Sequence, residues 1–303
     1  MPQQVTDLVP ATTANLGPGF DCLGMALDIW NRIEVSAGGT ASVQVEGEGE
    51  GILSTGTDNL VYRAARRYFQ ESGTEMPPLS ITCRNQIPLA RGLGSSSAAI
   101  VGGLLAASAT AGETQPDMDM LWRLAVEIEG HPDNVTAALF GGCQIVVQDG
   151  ETLVHAPIPV SDSIQAVLFI PETPMPTDQA RGLLPSQVNR EDAVYNLGRV
   201  GLLVNALATG RLEDLRVATQ DRLHQPARQK LLPVMRLLIR SALDGGALGA
   251  FLSGAGSTVL ALTSGSTMTV AYEMVDIANK ANVHGDIKIT RPSALGAHVF
   301  SVA

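Results

Sequence analysis

The sequence predicts an α+β chain folded as two domains. Three observations carry that expectation. At 303 residues the chain exceeds the usual size of one hydrophobic core. Its first half places a strand, a glycine-rich loop and a helix in direct succession. Its second half, stripped of extra helices, runs strand, helix, strand, strand, helix, strand.

In chain order, residues 6–9, 23–29 and 32–35 read as strands, with Val43 and Val45 alternating behind them. Residues 10–24 read as a tight loop, because small residues with Gly and Pro let the backbone come close to another group. Asp58 and Asn59 stand where an N-cap belongs, and Val61, Ala64, Ala65 and Tyr68 then recur at helical spacing as far as Glu71. Leu79, Ile81 and Cys83 alternate as a strand. Residues 92–112 carry no charge and read as a buried helix; their glycines, serines and alanines make them too weakly apolar for a membrane span. A helix over 118–129 ends at Gly130, and Pro132 suits the first turn of the next one. A strand follows at 143–147.

A boundary near residue 160 divides the chain into 1–160 and 161–303. Beyond it the pattern predicts a strand at 165–170 and helices at 177–183, 190–209, 211–221 and 229–244. Strands at 247–252 and 257–262, a helix at 267–281 and a strand at 285–291 complete a ferredoxin-like order.

The stretch 88–99 carries the chemistry: Pro88, Leu89, Ala90, Arg91, Gly92, Leu93, Gly94, Ser95, Ser96, Ser97, Ala98 and Ala99. Gly92 and Gly94 let the backbone approach a ligand, and serines offer hydroxyls where a helix begins. The first turn of that helix has unpaired N–H groups and partial positive charge, so it can hold phosphate oxygens without a lysine. The loop is not a Walker A, since no Gly-Lys-Ser/Thr follows. It is not a dinucleotide fingerprint either, since Ser97 stands where the third glycine belongs. Two further stretches are informative: Ala14-Asn-Leu-Gly-Pro-Gly-Phe-Asp21 and Glu129-Gly-His-Pro-Asp-Asn134. Glycine returns in Phe251-Leu-Ser-Gly-Ala-Gly-Ser257, between two predicted strands.

Composition excludes several functions. With 20 basic against 30 acidic residues the net charge is −10, and no Lys/Arg cluster is present, which argues against nucleic acid or an anionic membrane as partner. An anionic ligand must then be held by backbone dipoles and a few placed arginines. Cys22, Cys83 and Cys143 are odd in number and far apart, and no signal pattern opens the chain; both favour a reduced cytoplasm. The histidines at 155, 224, 284 and 298 lack metal-ligand spacing, so no structural zinc is assigned.

Pro-x-x-x-Gly-Leu-Gly-Ser-Ser resembles the central motif of the GHMP kinases, which act on galactose, homoserine, mevalonate and phosphomevalonate. The 14–21 and 129–134 stretches are most similar to those of the branch acting on homoserine, and the Gly254–Gly256 turn is similar to the family's third motif, with Ser257 in place of its usual proline. The resemblance implies an N-terminal ribosomal-protein-S5-like nucleotide domain and a C-terminal ferredoxin-like domain. It implies ATP and L-homoserine as substrates, Mg²⁺ as cofactor and a step of threonine biosynthesis. A homodimer is allowed. By the same resemblance the nucleotide meets Asn59, residues 88–98, Gly254 and Gly256, and Mg²⁺ meets Ser96 and Glu129. Glu127 competes with Glu129; two residues apart on a helix, they point about 200° apart, so one alone can face the site. Asn15, His131 and Asn134 are implied at the reacting hydroxyl, with Asp133 as a possible base. Asp21 is implied at the ammonium, and Arg181 with Arg228 at the carboxylate. A sibling kinase for another small alcohol and a non-catalytic nucleotide-binding protein of the same fold remain the alternatives.

Overall fold

β1 (Gln4–Asn15) and β2 (Gly19–Ala37) pair antiparallel from Gln4 opposite Ser36 to Asn15 opposite Gly19, and the first domain is built on this pair. The computed structural model describes residues 4–150 and 152–302. The expected loop at 10–24 is therefore strand on both sides of a three-residue turn. Ala11, Thr12, Thr13 and Ala14 are buried side by side, and their small size serves helix packing rather than loop formation.

β2 is 19 residues long because its two ends serve different partners. Arg32–Ala37 pairs with β4 (Leu79–Asn85), and Leu23–Met25 pairs with β5 (Cys143–Asp149). β3 (Ser42–Gly47) runs parallel to β4, and β6 (Thr152–Ile158) closes a hairpin with β5. α1 (Leu60–Ser72), α2 (Ser95–Thr110), α3 (Met118–Glu129) and α4 (Pro132–Phe140) pack together with this sheet. α2 lies at their centre and is buried from Ile100 to Thr110, so its uncharged sequence is what a helix surrounded on every side requires.

The second sheet contains β7 (Gln165–Pro171), β8 (Gly249–Leu252), β9 (Val259–Thr263) and β10 (Gly285–Thr290) in the order β10-β7-β9-β8, all antiparallel. Five helices separate β7 from β8: α5 (Thr177–Gly182), α6 (Arg190–Thr209), α7 (Leu215–Ala218), α8 (Gln225–Arg228) and α9 (Met235–Asp244). α10 (Thr267–Lys280) connects β9 to β10, and with α9 it covers the sheet over a core of Val167, Phe169, Leu238, Leu252, Val270 and Met274. This is the ferredoxin-like order. The helices expected at 211–221 and 229–244 are shorter than their periodicity suggests. Asp221 takes the N–H groups of Leu223, His224 and Gln225, which starts α8, and Pro233 delays α9 until Met235. β11 (His298–Val302), which the pattern did not reveal, crosses back and pairs with β1. The chain's last strand thus belongs to the first sheet.

An acid is buried within the first domain. Asp7 on β1 is fully buried, neither carboxyl oxygen has a hydrogen-bond partner, and burial holds its pKa well above the ordinary carboxylate value. An acid with a raised folded pKa binds more protons folded than unfolded, so stability falls as pH climbs from the unfolded value of about 3.9. Asp7→Asn should therefore flatten the decline of Tm between pH 5 and pH 8, leaving the variant a few degrees above the parent at the upper end. Parallel Tm profiles for the two proteins would remove Asp7 from this account.

Candidate active site

The glycine loop before α2 closes between two layers of backbone. Gly94, at φ 70°, is the N-cap of α2, and no side chain caps the helix. Ser95, Ser96 and Ser97 form its first turn, where helix N–H groups have no intrahelical partner. Both glycines are there for proximity: a Cβ on Gly94 would sit 1.9 Å from Thr12 Oγ1, and one on Gly92 would sit 2.1 Å from the Ser253 carbonyl. Ser253 donates its hydroxyl to the Gly92 carbonyl at 2.6 Å, and Thr258 N donates to the Arg91 carbonyl at 3.1 Å. The turn between β8 and β9 is therefore docked on the glycine loop.

A cleft of about 450 Å³ runs past this loop. One end is lined by Ile33, Val45, Leu53, Leu60, Val61 and Leu89 with Asn59 and Asn85 among them. Asn59 is both cap and wall: its Oδ1 accepts from Val61 N at 3.0 Å, and its Nδ2 donates to the Ser54 carbonyl at 2.6 Å. The middle is lined by Ala90, Gly92, Gly94, Ser95, Ser96 and Glu129, and the far end by Asn15, Asp21, His131, Asp133, Asn134, Arg181, Arg228 and Gly254. Pro88, Ser97, Ala98 and Gly256 stand outside the lining. Ser97 and Ala98 are buried beneath it. Arg91 lines the cleft, and its guanidinium donates to the carbonyls of Pro171 at 2.7 Å, Leu89 at 2.9 Å and Glu172.

Glu129 and Glu127 are separated as helical geometry requires. Glu129 Oε1 accepts from Ser96 Oγ at 2.6 Å and from Ser97 Oγ at 2.9 Å, beside the start of α2. Glu127 faces away and pairs with Arg67 at 3.1 Å.

At the far end the charged groups are already matched to one another. Arg181 on α5 donates to Asp21 through Nη2 at 2.6 Å and Nη1 at 3.0 Å, so two residues assigned to opposite ends of one substrate face each other as a bidentate pair. Asn15 braces their turn. Its Oδ1 accepts from Asp21 N at 3.0 Å, its Nδ2 donates to the Gly254 carbonyl at 2.9 Å, and both Asn15 and Asp21 take positive φ. Backbone held in that region, at residues other than glycine, stores strain that clusters at functional sites. Asp133, nearly buried at the start of α4, accepts from Asn134 N at 2.7 Å and lies 3.4 Å from His131 Nδ1, an ion-pair distance rather than a hydrogen bond. Burial alone would lower the pKa of His131, but the Asp133 carboxylate, with Glu129 behind it, outweighs burial and holds it above the ordinary imidazole value. Asn134 accepts from Thr12 Oγ1 at 2.7 Å. Arg228 is 1% exposed yet lines the cleft, and burial together with Arg181 pulls its pKa down to about 10, so it remains charged at neutral pH.

Residues 59–142 match the profile of the GHMP kinases N terminal domain, and residues 203–281 match that of the GHMP kinases C terminal domain. A homoserine kinase of Thermosynechococcus vestitus is 43% identical over 283 residues, spanning 93% of this chain and 94% of the relative. One from Moorella thermoacetica is 40% identical over 292 residues, spanning 96% and 98%. The chain belongs to the GHMP kinase family. The crystal structure of a homoserine kinase from Cytophaga hutchinsonii superposes on this GHMP kinase with a TM-score of 0.89, at 28% identity over 99% of this chain and 98% of that one. A mevalonate kinase structure, at TM-score 0.67 and 15% identity, shares the fold.

Several residues of this GHMP kinase's cleft escaped sequence reasoning. Ile33, Val45 and Cys83 alternate as ordinary strand residues, and no local pattern separates a core position from one at the mouth of a cleft. Asn31 is similar: its Oδ1 accepts from Gln86 N at 2.8 Å and Ile87 N at 3.1 Å, which holds the entry to the glycine loop. Only the pairing of β2 with β4 brings it there.

Proposed function

We infer that this chain transfers the γ-phosphoryl group of ATP to the side-chain hydroxyl of L-homoserine, giving ADP and O-phospho-L-homoserine. The observation that carries this reading is the far end of the cleft, where the Asp21 carboxylate meets Arg181 and Arg228 lines the same space as the start of α2. An amino acid presents one ammonium and one carboxylate. Homoserine would exchange the Asp21–Arg181 pair for two new ones, its ammonium meeting Asp21 and its carboxylate meeting Arg181 and Arg228, and no charge would be left unpaired.

The phosphates are read onto the free N–H groups of Ser95, Ser96 and Ser97 and the positive end of α2, which has no acidic residue in its first turn. The apolar end of the cleft then receives the base. Ser96 Oγ and Glu129 Oε1, hydrogen-bonded at 2.6 Å beside that helix start, are hard oxygen donors of the kind a small divalent cation takes. They would hold Mg²⁺, which would neutralise charge on the β- and γ-phosphates. The hydroxyl attacks in line, the bond to ADP breaks, and the proton leaves late to the phosphoryl oxygens. A loose transition state develops little charge on the attacking oxygen, so positioning carries most of the work. Asn15, Asn134 and His131 orient the hydroxyl end. The reading places the enzyme in the cytoplasm, in threonine biosynthesis, with no part for nucleic acid. Among the described residues no helix is long and apolar enough to cross a membrane.

The test is ADP release with homoserine against a panel of small alcohols; preference for another alcohol would move the chain to a sibling activity, and silence with all of them would end the kinase reading. The role of Asp133 is separable. A general base contributes about 10²–10⁴-fold, whereas Asp133→Asn is expected to keep kcat within about tenfold of the parent. A loss in the larger range, with unchanged melting, would make Asp133 the base.

A further inference from the structure

His224 has no place in the reaction described above, yet it is fully buried between the two arms of the substrate end. Its Nε2 lies 2.7 Å from the Gly17 carbonyl, and its Nδ1 lies 2.9 Å from Arg228 Nη1. A carbonyl can only accept and a guanidinium can only donate, so the partners dictate the tautomer: Nε2 carries the hydrogen and Nδ1 offers its lone pair. The ring is neutral in this arrangement. Burial lowers its pKa in the same sense, outweighing the Asp221 carboxylate 3.6 Å from Nε2.

Both ends of this bridge are functional backbone or side chain. Gly17 lies in the turn that carries Asn15 and Asp21, and that turn is pressed so closely on the second domain that a Cβ on Gly17 would sit 2.1 Å from the Thr219 carbonyl. Arg228 Nη1 also donates to the Gly254 carbonyl at 3.0 Å, so both of its hydrogens are committed. Nε, buried without a partner, and Nη2 are what remain for a ligand. The surroundings leave the imidazole little freedom. Asp221 accepts from His224 N at 3.0 Å, Phe20 stacks on the ring at 5.5 Å, and Asn196 ties Asp221 at 2.8 Å to the Pro18 carbonyl at 3.1 Å.

We propose that His224 is a positioning residue for substrate recognition: its two ring nitrogens join Arg228 to the Gly17 turn, and so fix the carboxylate-binding edge of Arg228 against the loop that holds Asp21. The proposal rests on the reading that Arg228 receives the substrate carboxylate. A bridging ring commits one hydrogen of a five-donor fork and thereby orients the others, which a lone buried arginine on a four-residue helix could not do for itself.

The two nitrogens can be tested separately. His224→Gln keeps a donor of similar reach for Gly17 but loses the Nδ1 acceptor, while His224→Asn keeps an acceptor at the Nδ1 position. His224→Gln should raise the KM for L-homoserine by about tenfold, the loss expected when a charged group gives up one hydrogen bond. KM for ATP should stay within about twofold, and kcat/KM for 3-aminopropan-1-ol, which lacks the carboxylate, should be unchanged. His224→Asn should restore most of the parent KM for homoserine. An unchanged homoserine KM in a folded Gln variant, or an equal loss with both alcohols, overturns the proposal. Should the variants fail to fold, ¹⁵N spectra of the histidine-labelled parent decide it: an unprotonated Nδ1 and protonated Nε2 on His224 are expected, and a proton on Nδ1 is incompatible with the bridge. If the parent does not phosphorylate homoserine at all, the substrate reading falls, and the ¹⁵N result still decides whether His224 holds Arg228.

Discussion

Glu129→Gln should lower kcat by at least about 10²–10³-fold, the usual cost of removing one preorganised charge-stabilising group from a transition state. The substitution keeps shape and hydrogen bonding, so Ser96 and Ser97 retain a partner and the protein should fold normally. Nucleotide binding, measured by calorimetry without metal, should remain within a few-fold of the parent, because the α2 N–H groups are untouched. Glu127→Gln is the matched control. It removes only an exposed pair with Arg67, of a kind worth about 0–1 kcal/mol, and should leave turnover at the parent level. Near-parent turnover in Glu129→Gln would strip Glu129 of its assigned role.

The second large effect belongs to the arginines. Arg181→Leu should raise the KM for homoserine by about 10- to 100-fold, since a charged hydrogen bond contributes about 1.5–3 kcal/mol, and should leave the KM for ATP nearly unchanged. Arg228→Leu should do the same, but it also strips His224 and the Gly254 carbonyl of a donor and removes a fully buried side chain. Its melting temperature must therefore be measured alongside. Arg181 is one-third exposed and gives the cleaner reading. Preference for homoserine over 3-aminopropan-1-ol should shrink in both variants. If both keep the parent KM, the carboxylate is bound elsewhere, and the main physical support for the substrate is gone.

The parts of the site legible in the sequence are those whose chemistry is local. Gly92 and Gly94 before three serines announce a backbone approach to an anion at a helix start, because steric freedom and unpaired N–H groups are properties of a few adjacent residues. The separation of Glu127 from Glu129 is likewise read from helical period alone, and the structure places them on different faces. The ferredoxin-like order of the second sheet follows from short strands with strong alternation. By contrast, 10–24 reads as a loop because small residues have two uses, turning and packing, and only the helices above β1 decide between them. β11 is five residues with no distinctive pattern, and its partner β1 is nearly 300 residues away in the chain.

The sequence by itself determined the two-domain α+β class, the glycine loop that opens α2, and the types of residue available to meet an anion in a chain of net charge −10. Each of these depends on residues within one or two turns of one another, where propensity and periodicity act directly. The tertiary structure alone decided that Asp21 and Arg181 face one another, that Arg91 is spent on backbone carbonyls, and that His224 stands between Gly17 and Arg228. Those contacts join residues far apart in the chain across the junction of two sheets. Such a meeting is set by how the layers pack, and packing depends on shape and burial summed over both domains rather than on any local stretch.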